Sequence, residues 1–190
     1  GTAVTWDTDI DAAPFDSAPG VGFDTNEMAA GIMPPAGRMT GSGDALVVDA
    51  AQNNSFKAIT AALAAGGRVQ FLPGMPGSDG EGGNSGRYLI SGIDDATLQQ
   101  WVGDFALQAT RSSTGGADIG NPRIGLYQPW GGNMDEGWTR WVVEMYGFDS
   151  VTIRPGDIKA GNLRERFDVI VLADFGARTL IEGRAPGSVP

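Results

Sequence analysis

The sequence predicts an α/β fold in which a mostly parallel sheet is flanked by helices. Short apolar runs rich in β-branched residues, ALVVDA at 45–50 and FDVIVLAD at 167–174, are typical of buried strands. Segments with apolar residues at helical spacing lie between such runs, and the alternation of strands with helices favours parallel pairing. The hydrophobic fraction of 41% is sufficient for a packed core.

The first part of the chain predicts an arm followed by a small α/β unit. Residues 1–44 contain scattered prolines and glycines without periodicity, which predicts an extended, loop-rich arm. Residues 45–110 form the predicted α/β unit. After the strand at 45–50, Asn53 or Asn54 caps a helix that ends at Gly66 and Gly67, and residues 68–72 return as a strand. The short connections predict that these two strands pair in parallel.

The rest of this unit is predicted to be a loop, a strand and a helix. Residues 73–86 are rich in glycine and predict a loop, and residues 87–91 predict the next strand. Asp94 is the predicted cap of the following helix. Apolar residues at helical spacing predict that one face of this helix lies in the core: Leu98, Trp101, Val102 and Phe105.

Residues 122–190 are predicted to form the first half of a doubly wound, flavodoxin-like sheet. A polar stretch at 110–121 predicts the boundary before it. Strands are predicted at 123–127, 150–153 and 167–174, with a helix at 133–146. No further strands of such a sheet follow, so we expect it to be truncated at the C-terminus. The alternative is that residues 45–190 form one domain rather than two separate units.

The helix predicted at 133–146 has one broad apolar face, for which we expect a place in the core: Met134, Trp138, Trp141, Val142 and Met145. Asp135 and Glu136 stand in its first turn, where the helix dipole favours acids. Arg140 follows Glu136 at i, i+4 spacing, which favours an ion pair over a clamp for a bound anion.

The turn before this helix is the candidate ligand-binding site. In α/β folds ligands bind at the carboxyl edge of the sheet, where this turn and the end of the last strand are expected to meet. The glycines of the turn indicate either positive φ angles or the close approach of a ligand. The candidate residues are Gln128, Trp130, Gly131, Gly132, Asn133 and Asp174.

Composition excludes several functions. The chain has no His and no Cys, so it lacks disulfides, thiolate metal sites and cysteine nucleophiles, and we expect neither metal nor cofactor. The net charge of -10 disfavours nucleic acid as a partner. Apolar runs stay well below the roughly 18 residues that a membrane span requires, so no span is expected.

Four blocks carry a resemblance to a known family: NNSFKAITAALAAGGRV (53–69), PRIGLYQPWGGNMDEGWTRWVVEMYGF (122–148), DIKAGNLRERFDVIVLAD (157–174) and IEGRAPGSVP (181–190). They resemble the C-terminal accessory region of large bacterial zinc carboxypeptidases of the carboxypeptidase A-like family. That region is similar in fold to class I glutamine amidotransferases. The resemblance implies that the chain is a fragment of a secreted or periplasmic bacterial protein, with zinc held only by the separate peptidase domain.

The expected function is therefore non-catalytic. A zinc peptidase needs histidine ligands, and an amidotransferase needs a cysteine nucleophile with a histidine base; both residue types are absent. The resemblance implies an accessory domain that packs on or positions the peptidase domain, or binds a peptide or glycan. An independent module that binds a small molecule, such as a peptide or sugar, is the alternative, and a hydrolase based on Asp135, Glu136 and Asp174 is a further one. We also expect an exposed sheet edge that is covered by self-association or by the N-terminal arm folding back.

Overall fold

A computed structural model of the protein describes residues 35–73, 86–113, 115–183 and residue 187. Most of the predicted arm and of the predicted glycine-rich loop lies outside the described residues. The described strands are β1 (Arg38–Gly41), β2 (Ala45–Asp49), β3 (Arg68–Leu72), β4 (Arg87–Ser91), β5 (Gln108–Ser112), β6 (Ala117–Ile119), β7 (Ile124–Tyr127), β8 (Ser150–Ile153) and β9 (Val169–Val171). The described helices are α1 (Ser55–Ala64), α2 (Asp95–Asp104), α3 (Met134–Met145), α4 (Pro155–Ala160), α5 (Leu163–Arg166) and α6 (Ala177–Glu182).

The larger sheet has six strands in the order β1-β5-β2-β4-β3-β6. All of its pairs are antiparallel except β1 with β5. The prediction of a mostly parallel, flavodoxin-like or amidotransferase-like fold is therefore wrong. The physical reason is the hairpin of β3 and β4, which runs from Arg68 opposite Ser91 to Leu72 opposite Arg87. It inserts β4 between β2 and β3, so the two strands predicted to pair are not neighbours.

The four central strands and two helices form a split β-α-β arrangement. In chain order the elements are β2, α1, β3, β4, α2 and β5, and the strands lie in the order β5-β2-β4-β3. This β-α-β-β-α-β topology is the ferredoxin-like one. Since β2 and β3 are both antiparallel to β4, they point in the same direction with one strand between them. The predicted polar boundary at 110–121 in fact holds the end of β5 and all of β6.

Both helices pack on one face of this sheet. The cluster of buried residues joins strand side chains such as Leu46 and Ile90 to Ala58 and Ala62 of α1 and to Val102 of α2. Trp101 and Phe105 pack against the same cluster, which confirms the predicted core face of α2. Asp94 caps that helix as predicted, because its side chain accepts hydrogen bonds from the Thr97 backbone N–H (2.9 Å) and hydroxyl (2.7 Å).

The second sheet has three strands in the order β8-β7-β9, and both of its pairs are parallel. Gly125 in the central strand β7 lies against Ile153, because an added Cβ atom would lie 2.2 Å from Cδ1 of Ile153 and that side chain would have to move. Strand β9 was predicted to be buried on both faces, and this prediction is wrong. Val169 and Ile170 are exposed, as is Leu172 just beyond the strand.

One hydrogen bond joins the two halves between α1 and the C-terminal end of α3. The hydroxyl of Thr60, which is buried, lies 2.7 Å from the backbone oxygen of Tyr146. Gly147 follows with a φ of +75°, and an added Cβ atom there would lie 3.0 Å from the same hydroxyl. Lys57 lies over the ring of Tyr146, with its Nζ atom 5.6 Å from the ring centre. The end of α3 is thereby fixed against α1.

Candidate functional site

The turn that links β7 to α3 lies at the carboxyl edge of the small sheet, as the sequence predicts. The backbone N–H of Gln128 donates to the carbonyl of Ile153, at 2.8 Å, and extends the alignment of β7 with β8. Gly131 and Gly132 have φ angles of +97° and +75°, and an added Cβ atom at either would meet nothing within 4 Å. The positive φ angles are sufficient to explain these glycines, since no described part of the chain approaches them.

Asn133 connects this turn to the end of β9. Its Oδ1 atom accepts from the backbone N–H groups of Asp135 (2.7 Å) and Glu136 (3.3 Å) and so caps α3. Its Nδ2 atom donates to the carbonyls of Asp174 (3.3 Å) and Ala173 (3.5 Å). The structure therefore brings Asn133 and the backbone of Asp174 together, while the Asp174 residue itself is exposed.

Aromatic residues lie on both sides of this edge. Trp130 is 63% exposed, so its ring is available to a partner. Tyr127 and Phe175 make an edge-to-face contact with ring centres 6.1 Å apart. Neither Tyr127 nor Phe175 was among the candidate residues. The sequence signal that could have identified them is their position at or just after the end of a predicted strand. The ring contact ties the loop after β9 to the end of β7.

The acids at the start of α3 have separate environments. Glu136 is only 4% exposed and accepts a hydrogen bond from Arg140, which confirms the predicted i, i+4 ion pair. Asp135 is exposed and forms no ion pair with any residue that the structure describes. The buried carboxylate is thus held by an arginine, whereas the exposed one is not paired within the described residues.

The apolar residues of α3 are exposed, and the prediction that they form a core face is wrong. Trp138 is 62% exposed, Trp141 53% and Met134 77%. The two tryptophan rings meet edge to face, with centres 6.1 Å apart. We call the exposed apolar stripe of α3 the α3 face; its members are Met134, Trp138, Trp141, Val142 and Met145.

Acidic side chains border the α3 face. On a helical projection Asp135 lies beside Val142 on one flank, and Glu144 lies on the opposite flank. Both are exposed, and neither forms an ion pair within the described part of the chain. Since Arg140 is paired with Glu136, no unpaired cation of α3 offsets them. The α3 face therefore combines apolar side chains with an acidic border.

The carboxylate with the most perturbed pKa lies at the other edge of the small sheet. Asp168 precedes β9 and contacts Arg123, which precedes β7, with distances of 2.8 and 3.0 Å to the guanidinium nitrogens. These side-chain hydrogen bonds, together with one from the Arg123 backbone N–H, lower the pKa of Asp168 to about 2. The pair clamps the amino ends of β7 and β9 together, far along the strands from the candidate turn.

No group of three or more Asp, Glu, His or Cys side chains in the described ranges is arranged to hold a metal ion. None of the helices of that part of the chain is long and apolar enough to cross a membrane. The longest of them, α3, has 12 residues.

Comparison of the chain with protein-family models, with curated proteins and with solved structures finds no match. Function is therefore inferred from the geometry of the described residues. That geometry is of an α+β protein with an antiparallel, ferredoxin-like sheet and a small parallel sheet, whose longest helix presents its apolar side outward.

Proposed function

We propose that this chain is a non-catalytic accessory module that docks on a partner protein through the α3 face. The observation that carries the proposal is the orientation of α3. Its ion pair of Glu136 and Arg140 faces inward, whereas Trp138 and Trp141 face outward. Helices in globular proteins bury the apolar side, so an inverted helix is typical of a surface that another protein covers.

The size of the exposed surface supports docking. An aromatic side chain buries about 150–250 Å², so the exposed parts of Trp138 and Trp141, together with those of Met134, Val142 and Met145, present roughly 300 Å² or more. Functional patches on monomers cover about 300–600 Å². At about 25 cal/mol per Å², burial of 300 Å² contributes about 8 kcal/mol before the costs of association. This is sufficient for an anchor, and polar contacts around it must supply the rest of the interface.

The charges at the border of the α3 face indicate the chemistry of the partner surface. Asp135 and Glu144 flank the tryptophans and lack ion-pair partners among the described residues. A complementary surface has an apolar groove with Lys or Arg at its rim. The family resemblance suggests that this surface belongs to the zinc peptidase domain of a larger, secreted or periplasmic bacterial protein, which the module would pack on or position.

The other two functions receive less support from the geometry. A small-molecule site needs enclosure, but Trp130 is exposed and the space around Gly131 and Gly132 is open. A carboxylate hydrolase needs two acids acting on one bond, but Glu136 is buried against Arg140 while Asp174 is exposed. Docking through α3 requires only exposed apolar side chains on one side of the helix, and the α3 face has them.

The test is a binding measurement with the peptidase domain encoded in the same reading frame. The chain and that domain are purified separately, and the dissociation constant is measured by isothermal titration calorimetry. Trp138→Ala and Trp141→Ala are each expected to weaken binding by about tenfold or more, because buried aromatic anchors dominate interfaces. Ile181→Ala is the matched control, since Ile181 is also an exposed apolar residue but lies on α6.

Two outcomes contradict the proposal. One is a reading frame that encodes no peptidase domain. The other is that the Trp138→Ala and Trp141→Ala variants bind the peptidase domain as strongly as the Ile181→Ala control does. A circular dichroism spectrum of each variant shows that the fold is retained, so that a loss of binding is not a loss of structure.

A further inference from the structure

No described strand pairs with the outer edge of β9. Among the described residues β9 pairs only with β7, through Ile124 opposite Val169 and Leu126 opposite Val171. Val169 and Ile170 are exposed. An unpaired edge presents backbone N–H and C=O groups to any extended segment that lies beside it, and exposed apolar side chains add to that attraction.

A groove adjoins this strand. It has a volume of about 590 Å³ and is lined by Leu163, Arg164, Phe167, Asp168 and Ile170. Three of these five residues are apolar, and Ile170 belongs to β9 itself. The groove is large enough for an apolar side chain of a segment paired with β9.

The charges at the groove favour an acidic ligand. Asp168 is paired with Arg123, so its charge is compensated. The side chain of Arg164 forms no hydrogen bond or ion pair with any described residue. Residues 154–166 carry four cations (Arg154, Lys159, Arg164 and Arg166) against two acids (Asp157 and Glu165), a local charge of 4 − 2 = +2 in a chain whose net charge is -10. A carboxylate beside the groove would therefore meet a favourable potential.

We propose that β9 and the adjoining groove bind an extended peptide by strand addition. The peptide backbone pairs with the outer edge of β9, one apolar side chain enters the groove, and a neighbouring carboxylate pairs with Arg164. Side chains alternate between the faces of a strand, so the apolar position and the next residue on the same face are two apart. This site is separate from the α3 face and does not depend on the docking proposed for it.

A second copy of the chain is a poorer occupant of the same edge. In an isologous pair the second copy would offer β9 itself, whose residues Val169–Val171 carry no carboxylate for Arg164. The net charge of -10 on each copy also opposes self-association. A peptide is therefore the favoured occupant of this edge, rather than the second copy that the predicted self-association would supply.

The experiment uses a labelled, capped peptide of alternating valine and threonine with a glutamate near each end, and measures binding by fluorescence anisotropy. Two comparison peptides carry lysine in place of glutamate, or proline in place of the central valine. Arg164→Glu is expected to weaken binding of the glutamate peptide by at least about tenfold. Lys159→Glu makes the same change of charge on α4, outside the groove, and is expected to change it by less than about threefold.

Hydrogen exchange locates the bound peptide. The glutamate peptide is expected to slow exchange at residues 169–171, and the proline peptide is expected not to, because proline cannot donate to the ladder. Trp138→Ala is expected to leave binding unchanged, which separates this site from the α3 face. Equal binding of the lysine or proline peptide, or equal effects of Arg164→Glu and Lys159→Glu, would overturn the proposal. Protection of 169–171 that rises with protein concentration alone would assign the edge to a second copy instead.

Discussion

The Glu136 and Arg140 pair sets the rotation of α3 about its axis. Glu136 is buried, and a buried carboxylate without a cation is strongly unfavourable, so Arg140 must stay on the same side of the helix. The residues on the opposite side are then directed outward. Spacing in the sequence was sufficient to predict the pair, but not to show that it faces the protein while the tryptophans face outward.

The clamp of Asp168 and Arg123 leads to a prediction about pH. The pKa of Asp168 is lowered from 3.8 to about 2 by its hydrogen bonds with Arg123. A carboxylate with a depressed folded-state pKa stabilises the fold above its unfolded value, and this contribution is lost as pH falls from 3.8 towards 2. Asp168→Asn is expected to lower the urea midpoint at neutral pH, and its difference from wild type is expected to vanish near the folded pKa.

Urea unfolding of both proteins across this pH range checks the prediction. Asp149→Asn is the control, because Asp149 is exposed, lies outside the helices and has no ion-pair partner in the described part of the chain. It should match the wild type throughout. A difference between Asp168→Asn and wild type that stays constant down to the lowest pH would show that the carboxylate charge is not what stabilises the clamp.

At the scale of elements, Asn133 is the residue that positions α3. It caps the helix through Oδ1 and holds the carbonyls after β9 through Nδ2. Asn133→Ala removes both functions and is expected to lower the free energy of unfolding by about 1–2 kcal/mol. Asn133→Asp retains the cap but has no amide donor, so a smaller loss is expected. Chemical denaturation of the three proteins measures both values.

Each outcome of this comparison has a distinct meaning. Equal losses for the two variants would show that the link to β9, not the cap, is the important contact. An Asn133→Asp protein as stable as the wild type would show that only the cap matters. No loss in Asn133→Ala would contradict both functions of the side chain.

Prediction succeeded for many elements because their signals are local. Strand β4 was predicted with its observed bounds, and α2 with its cap and its buried face, because alternating or helical spacing reports which residues share a side. The same spacing in α3 reports an apolar side but not what covers it. For α2 the cover is the six-stranded sheet, and for α3 nothing described covers it.

At the scale of the whole molecule, Thr60 is the hydrogen-bonded link between α1 and α3. A hydroxyl has one proton, and the shortest of its three contacts, 2.7 Å, is with the Tyr146 carbonyl. Thr60→Val keeps the shape but leaves that carbonyl without this donor. It is expected to lower the free energy of unfolding by about 1 kcal/mol and to speed hydrogen exchange near residues 146–148.

Thr60→Ser is the matched variant, since it retains the hydroxyl. It is expected to keep the exchange rates of the wild type near the end of α3. If Thr60→Ser speeds exchange there as much as Thr60→Val does, the methyl group rather than the hydrogen bond makes the link. Urea unfolding and hydrogen exchange on the three proteins provide the comparison.

The topology of the larger sheet was beyond local prediction. Strands β2 and β3 are joined by a single helix, and the simplest prediction from such a connection is that the two strands pair. In the structure β4 lies between them, because the hairpin of β3 and β4 pairs all five residues from Arg68 to Leu72 with residues of β4. Which strand takes the central place depends on contacts between residues distant in sequence, and no periodicity records them.

The sequence by itself determined where most helices and strands lie and which chemistry is excluded, because spacing and composition are local properties. The absence of His and Cys rules out thiolate or imidazole chemistry in this chain under any fold. Only the tertiary structure decided the order of the strands and the outward orientation of α3. Both depend on long-range packing: β4 pairs with both β2 and β3, and the pair of the buried Glu136 with Arg140 leaves the tryptophans facing outward.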